Sequence, residues 1–248
     1  MFFQPERNIS NPMSTLQSVQ FLHHGPDSLR LGIVVATGVY ADIPVPSMEE
    51  VLSVRLASLA DGLNPEQDAY RAHIRDIFRH GSYKPTGRAK PASEYLFRVA
   101  AEGTFPRINT LVDICNALSV SSLLPISVWD LDRAGGNAFE FRLGAVDDSY
   151  VFNASGQEIN LNDLIVGCVI REAGASQPIV NAVKDSQATK THDQTSRVAA
   201  AIYAPLDDGP DLSLMDTCRL FEEWLGATAE GCSTRSGILM PGESLTLG

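Results

Sequence analysis

Apolar residues recur along the chain in two rhythms, helical in its first half and strand-like in its second. Residues 29–40, LRLGIVVATGVY, form a β-branched apolar run and predict a buried strand. Ser47-Met-Glu-Glu50 reads as a capping box opening a helix to about Ala60. Residues 65–80 predict a further helix with Tyr70, Ile74, Ile77 and Phe78 inward. Ser93 is expected to cap a short helix over 93–101 that carries Leu96, Val99 and Ala100 and stops at Gly103. After Pro106, Leu111, Val112, Cys115 and Leu118 keep helical spacing, interrupted by Asp113, Asn116 and Ser119. A polar group buried without a partner costs roughly 1–3 kcal/mol, so these three must be satisfied locally or face a ligand. Asp113 and Asn116 are expected to be structural.

Past Asp132 the rhythm changes. Short apolar segments at 138–145, 149–152, 159–162, 164–171, 179–183 and 196–203 alternate with turn dipeptides such as Gly135-Gly136 and Ser155-Gly156. Helices first and strands later predict an α+β fold, N-terminal helices packed on a mixed or antiparallel sheet. Asp211 or Ser213 is expected to cap a helix through Leu214, Cys218, Phe221 and Leu225, ending at Gly226. Residues 227–248, rich in Gly, Ser and Thr, read as a loosely ordered tail. The expected division is an arm at 1–27, a domain at 28–205, and a helix with tail at 206–248.

Composition narrows the partners. Hydrophobic residues make up 44% of the chain, enough for a core. No apolar run approaches the roughly 18 residues of a membrane span. Gln4, Pro5, Glu6 and Arg7 break the apolar start, so residues 1–15 are expected to be a loose arm rather than a secretory leader. Four scattered cysteines without a CxxC or Cys/His cluster suggest no metal, no cofactor, no disulfide framework and a reducing cytoplasm. His192 reads as a solvated loop residue. A net charge of −11 argues against avid, general RNA binding. The exception is local: Lys84, Arg88 and Lys90 crowd one Gly- and Pro-rich loop with Tyr83. That loop is either merely solvated or faces RNA phosphates with one aromatic for stacking.

Three matched passages carry a resemblance. Ser93, Glu94, Leu96 and Arg98 fit S-E-x-L-x-R. Residues 106–119 fit P-x-I-N-x-L-V-D-x-x-N-x-x-S, and residues 124–132 fit L-P-x-x-x-x-D-L-D. Together they resemble the B3/B4 module of the phenylalanyl-tRNA synthetase beta chain and its free-standing relatives, over about 28–205. The resemblance implies a tRNA-binding or editing module. The synthetase carries an editing His where this chain has Ser127, and a Glu where it has Ala201. Both departures speak against the same ester hydrolysis by the same residues. The free-standing relatives carry Trp-Asn shortly before Arg-Asp-Ser and a later Thr. Here Asn181, Lys184, Asp185, Ser186 and Thr189 correspond, with Lys for Arg and no Trp.

The expected site is a cleft between the 109–119 helix and a hairpin at 181–195. Lys184, Asp185 and Ser186 would orient substrate and water. Asn109, Ser119, Ser127, Asn181 and Thr189 would bind substrate, and Tyr83, Lys84, Arg88 and Lys90 would meet RNA. The expected partner is a tRNA 3′ end or an aromatic amino acid, bound with slow or absent hydrolysis. The competing expectation is a non-catalytic or metabolic small-molecule-binding protein that keeps only the fold. Nothing in the sequence sets an oligomeric state.

Overall fold

The structure is a computed structural model that describes residues 17–248. In chain order its first elements are β1 (Val19–His23), β2 (Leu29–Thr37), α1 (Pro46–Leu59), α2 (Pro65–Asp76), α3 (Ala92–Ala101) and α4 (Thr110–Ser122). Next come β3 (Ile126–Asp130), α5 (Leu131–Ala134), β4 (Ala138–Leu143), β5 (Ser149–Val151), β6 (Glu158–Asn160), β7 (Ile165–Ile170) and β8 (Ser176–Asn181). The last are β9 (Arg197–Pro205), α6 (Leu214–Gly226), β10 (Ser233–Leu239) and β11 (Ser244–Leu247).

The strands form two main sheets where the sequence pattern suggested one. One has the order β10-β2-β9-β3 and is antiparallel throughout. The other, β11-β1-β4-β7-β8, is mixed, because β1 and β4 run parallel. A separate ribbon pairs β5 with β6. The sheets meet face to face: Trp129 of β3 sits edge-on to Phe139 of β4 at 5.4 Å, and Tyr203 of β9 to Phe141 of β4 at 6.2 Å. These aromatic pairs fill the space between the layers. β2 is buried on both faces, which is why its sequence is an unbroken apolar run.

Helices cover the outer face of the four-stranded sheet. Gly32 marks the close approach of α6, since a Cβ there would lie 2.6 Å from Cys218 Sγ. The fold is α+β, helices packed on mixed and antiparallel sheets.

Several local expectations change. The box at Ser47 does not form: Val45 precedes α1, and Pro46 takes the first turn with its preset φ. The capping box lies one helix later, where Asn64 and Gln67 exchange bonds at 2.9 and 3.0 Å. Ser93 is a buried residue inside the first turn of α3, not its cap. Asn109 caps α4 by accepting from Val112 N–H, and Ser213 caps α6 by accepting from Asp216 N–H. Asp113 accepts from Ile108 N–H at 2.9 Å and pairs with Arg107 at 3.2 Å, a local structural role.

The segments read as arm and tail supply sheet strands. β1 lies between β11 and β4, and β10 edges the other sheet. Both segments are too short or too Gly- and Ser-rich to order alone, and backbone pairing supplies what their side chains lack. The loose arm expected at residues 1–15 lies outside the described residues. The stretch at 181–195 is not a hairpin, because β8 and β9 belong to different sheets and the segment crosses between them. Among the described residues no helix is long and apolar enough to cross a membrane.

Candidate functional site

The crossing segment after β8 separates two neighbours in sequence. Asp185 turns inward. Its carboxyl accepts from Ser127 Oγ at 2.8 Å and from Asn181 N–H at 3.3 Å. Ser127 Oγ is also 3.1 Å from the Asn181 carbonyl and 3.4 Å from the Tyr203 hydroxyl. Ser127 and Tyr203 are buried, at 1% and 0% exposure. Loss of solvation pushes the Asp185 carboxyl from 3.8 up to about 7. The Ser127 hydroxyl, the Asn181 and Val128 N–H groups and the Lys190 charge oppose that rise. The same burial, with Asp185 nearby, pushes the Tyr203 phenol upward. Ser127 and Ala201 are direct cross-strand partners of β3 and β9. The two positions that depart from the synthetase pattern therefore face one another across the strand pair, both buried.

Lys184 turns outward. It lines two adjoining clefts, of about 740 and 390 Å³, and its Nζ lies 4.1 Å from the Phe152 ring centroid. Arg88 and Val183 also line both. Lys90, Tyr95 and Arg98 complete the basic wall of the larger cleft, and Tyr83, Lys84, Asn160 and Asn162 line the smaller. The lining holds five cations and one carboxylate, Glu94. Glu94 is already engaged by Arg71 at 2.9 Å, Arg75 at 2.6 Å and Lys90 at 3.7 Å, so it adds little free negative charge. A concave wall of one sign focuses the field for an anionic ligand.

The basic loop is pinned at both ends. Ser82 donates from N–H and hydroxyl to Asp163 Oδ2, both at 2.7 Å. Gly81 has φ +48°, and a Cβ there would collide with that carboxyl, so the pin requires glycine. Inside the loop the Tyr83 hydroxyl donates to the Ala89 carbonyl. At its end Ala92 N–H donates to the Ala182 carbonyl at 2.8 Å, which ties the loop to the crossing segment.

Residues 86–205 match the family model described as B3/4 domain. Over that stretch the chain is similar to a B3/4 domain. The match includes the three passages at 93–132 and the crossing segment. No curated protein matches the chain. The match suggests a binding module related to the tRNA synthetases, and the structure sets the basic loop beside the crossing segment.

The residues singled out by sequence separate into groups. Lys84, Arg88, Lys90 and Lys184 share the clefts, with the half-buried Tyr83 at the edge of the smaller one. Ser127, Asp185 and Asn181 share the inner cluster. Asn181 also shapes the turn, accepting from Val183 and Lys184 N–H groups and donating to Tyr150 Oη at 2.6 Å. Ser186 accepts from Ala188 N–H, and Thr189 reaches the Ile179 carbonyl. Asn109 donates to Thr191 Oγ1 at 3.2 Å, so α4 does touch the crossing segment. Ser119, by contrast, donates to the Leu124 carbonyl at 2.7 Å inside the α4–β3 turn. Lys184, Asp185 and Ser186 thus point three ways and do not converge on one reacting atom. His192 is held rather than freely solvated: Nε2 lies 3.3 Å from Asp130 Oδ2, and Nδ1 accepts from Gln194 N–H.

Tyr203, Tyr150 and Tyr95 were not singled out by sequence, and Arg98 was noted only as a motif match, not as a site residue. The spacing of Tyr95 and Arg98 on one exposed helix face was the available signal. Nothing local marks Tyr203, which reads as one more apolar position of a closing strand.

Proposed function

We propose that the protein binds the 3′ end of an aminoacyl-tRNA in the paired clefts. The observation that carries this reading is the meeting of Lys84, Arg88 and Lys90 with Lys184, residues distant in sequence, around two adjoining clefts in a chain of net charge −11. Phosphate neutralisation by such groups supplies most of the affinity of a protein for nucleic acid. Asn181 and Asp185 act here by shaping and anchoring the turn that presents Lys184.

Hydrolysis is slow or absent. Ester cleavage needs a positioned water and donors at the developing oxyanion. The half-buried Asp185 is bonded to the buried Ser127, and Ser186 is engaged by Ala188 N–H. A second reading, a free aromatic amino acid or another small molecule as ligand, is favoured by the net charge of −11, which weighs against a polyanionic partner.

Titration of labelled tRNA against the purified protein at low and moderate salt tests the proposal. Binding that weakens with salt, with aminoacyl-tRNAs left intact, is the expected result. Absence of binding at low ionic strength overturns it.

A further inference from the structure

We infer that Tyr95, with Arg98 over its ring, is a nucleobase-stacking platform, so that the ligand of the clefts is a single-stranded RNA end and not a bare anion. This rests on the RNA reading above. Tyr95 is 53% exposed on α3 and lines the larger cleft, while its neighbours Leu96, Phe97, Val99 and Ala100 are buried. The core therefore makes no demand for an aromatic at this position. Arg98, one helical turn on, places its guanidinium carbon 5.3 Å from the Tyr95 ring centroid. The pair is a flat aromatic surface carrying positive charge, the combination that binds single strands through base stacking and backbone phosphate. Tyr83 is unsuited to the task. Its hydroxyl is committed to Ala89, its ring packs against the apolar core and against the side chains around Leu161 and Leu164, and burial pushes its phenol up to about 12. Arg88 and Lys184 line both clefts, so a phosphate held between them would leave one unit of the chain on Tyr95 and the next toward the Asn160 and Asn162 amides.

The test uses two labelled probes at low ionic strength, the ribotrinucleotide CCA and an abasic chain of the same length. Each is titrated against the wild type, Tyr95→Ala, Tyr95→Phe and the triple variant Lys84→Glu/Arg88→Glu/Lys90→Glu. Tyr95→Ala should weaken CCA roughly tenfold, in line with the loss of one stacked base. Tyr95→Phe should retain CCA affinity. The abasic chain should bind weakly and alike to the wild type and both Tyr95 variants. Wild-type affinity for CCA in Tyr95→Ala, with binding lost in the triple variant, overturns the platform and leaves the RNA reading standing. An equal loss of both probes in Tyr95→Ala also overturns it. If the wild type binds neither probe, the RNA reading fails and the platform with it.

Discussion

Lys184 and Asp185 are adjacent, yet the two regions they enter are opposites. The inner cluster of Ser127, Asp185, Asn181 and Tyr203 is closed, and its polar groups are spent on one another. The outer clefts are open, and their cations outnumber their one carboxylate. Hydrogen bonding inside a low-dielectric interior is strong when complete and costly when broken. Charges at an open wall cost little to keep unpaired and remain available to a ligand. On the proposed reading the inner region is structural and the outer one meets the ligand, although sequence alone would put both in one site.

The largest expected effect breaks the outer region alone. Reversing Lys84, Arg88 and Lys90 together to Glu should weaken RNA-end binding by about a hundredfold and flatten its salt dependence. The melting midpoint should move little, since exposed charges contribute roughly 0–1 kcal/mol each. A large fall in stability with binding retained would reverse the two assignments. Next, Asp185→Ala should cost about 2–3 kcal/mol of stability, because the Asn181 and Val128 N–H groups lose a partner in the interior. An unchanged denaturation midpoint would show the cluster to be dispensable.

Lys184→Ala sharpens the boundary. It should lose roughly tenfold in binding, worth about 1.4 kcal/mol, and keep the wild-type melt apart from the modest contact with Phe152. A further effect is in pH. The folded pKa of Asp185, about 7, lies above the unfolded value of 3.8, so between them the folded protein holds a proton that the unfolded chain has released. The stability this group contributes is complete below the unfolded value and is lost as pH rises through the folded one, with a slope of at most about 1.4 kcal/mol per unit. The difference in unfolding free energy between wild type and Asp185→Asn should therefore change across that window and be level above it. A difference independent of pH would place the carboxyl in water.

Much of the fold was legible in residue order. β2, β7 and α6 announce themselves by continuous or helical apolar spacing, and removing such side chains from water is the strongest force driving a chain to fold. The basic loop was legible as a cluster of like charges. Other features were not. Ser47 carried the capping-box letters, but Pro46 had already fixed the helix start. Ser119 had the look of a ligand group on an apolar face and instead satisfies the carbonyl of Leu124. Tyr95 and Arg98 shared an outward helix face, but nothing in the sequence showed that a cleft would form beside them.

What residue order determined by itself is therefore the list of elements, the α+β class and the local excess of cations. These follow from interactions within a few residues, where spacing alone decides which side chains share a face. Tertiary structure alone decided that the strands split into two facing sheets, that β1 and β11 join them, and that Lys184 and Asp185 part. Those outcomes depend on contacts far apart in the chain, Ser127 with Asp185, Tyr203 with Phe141 and Ala92 with Ala182, whose energies exist only once both partners are in place.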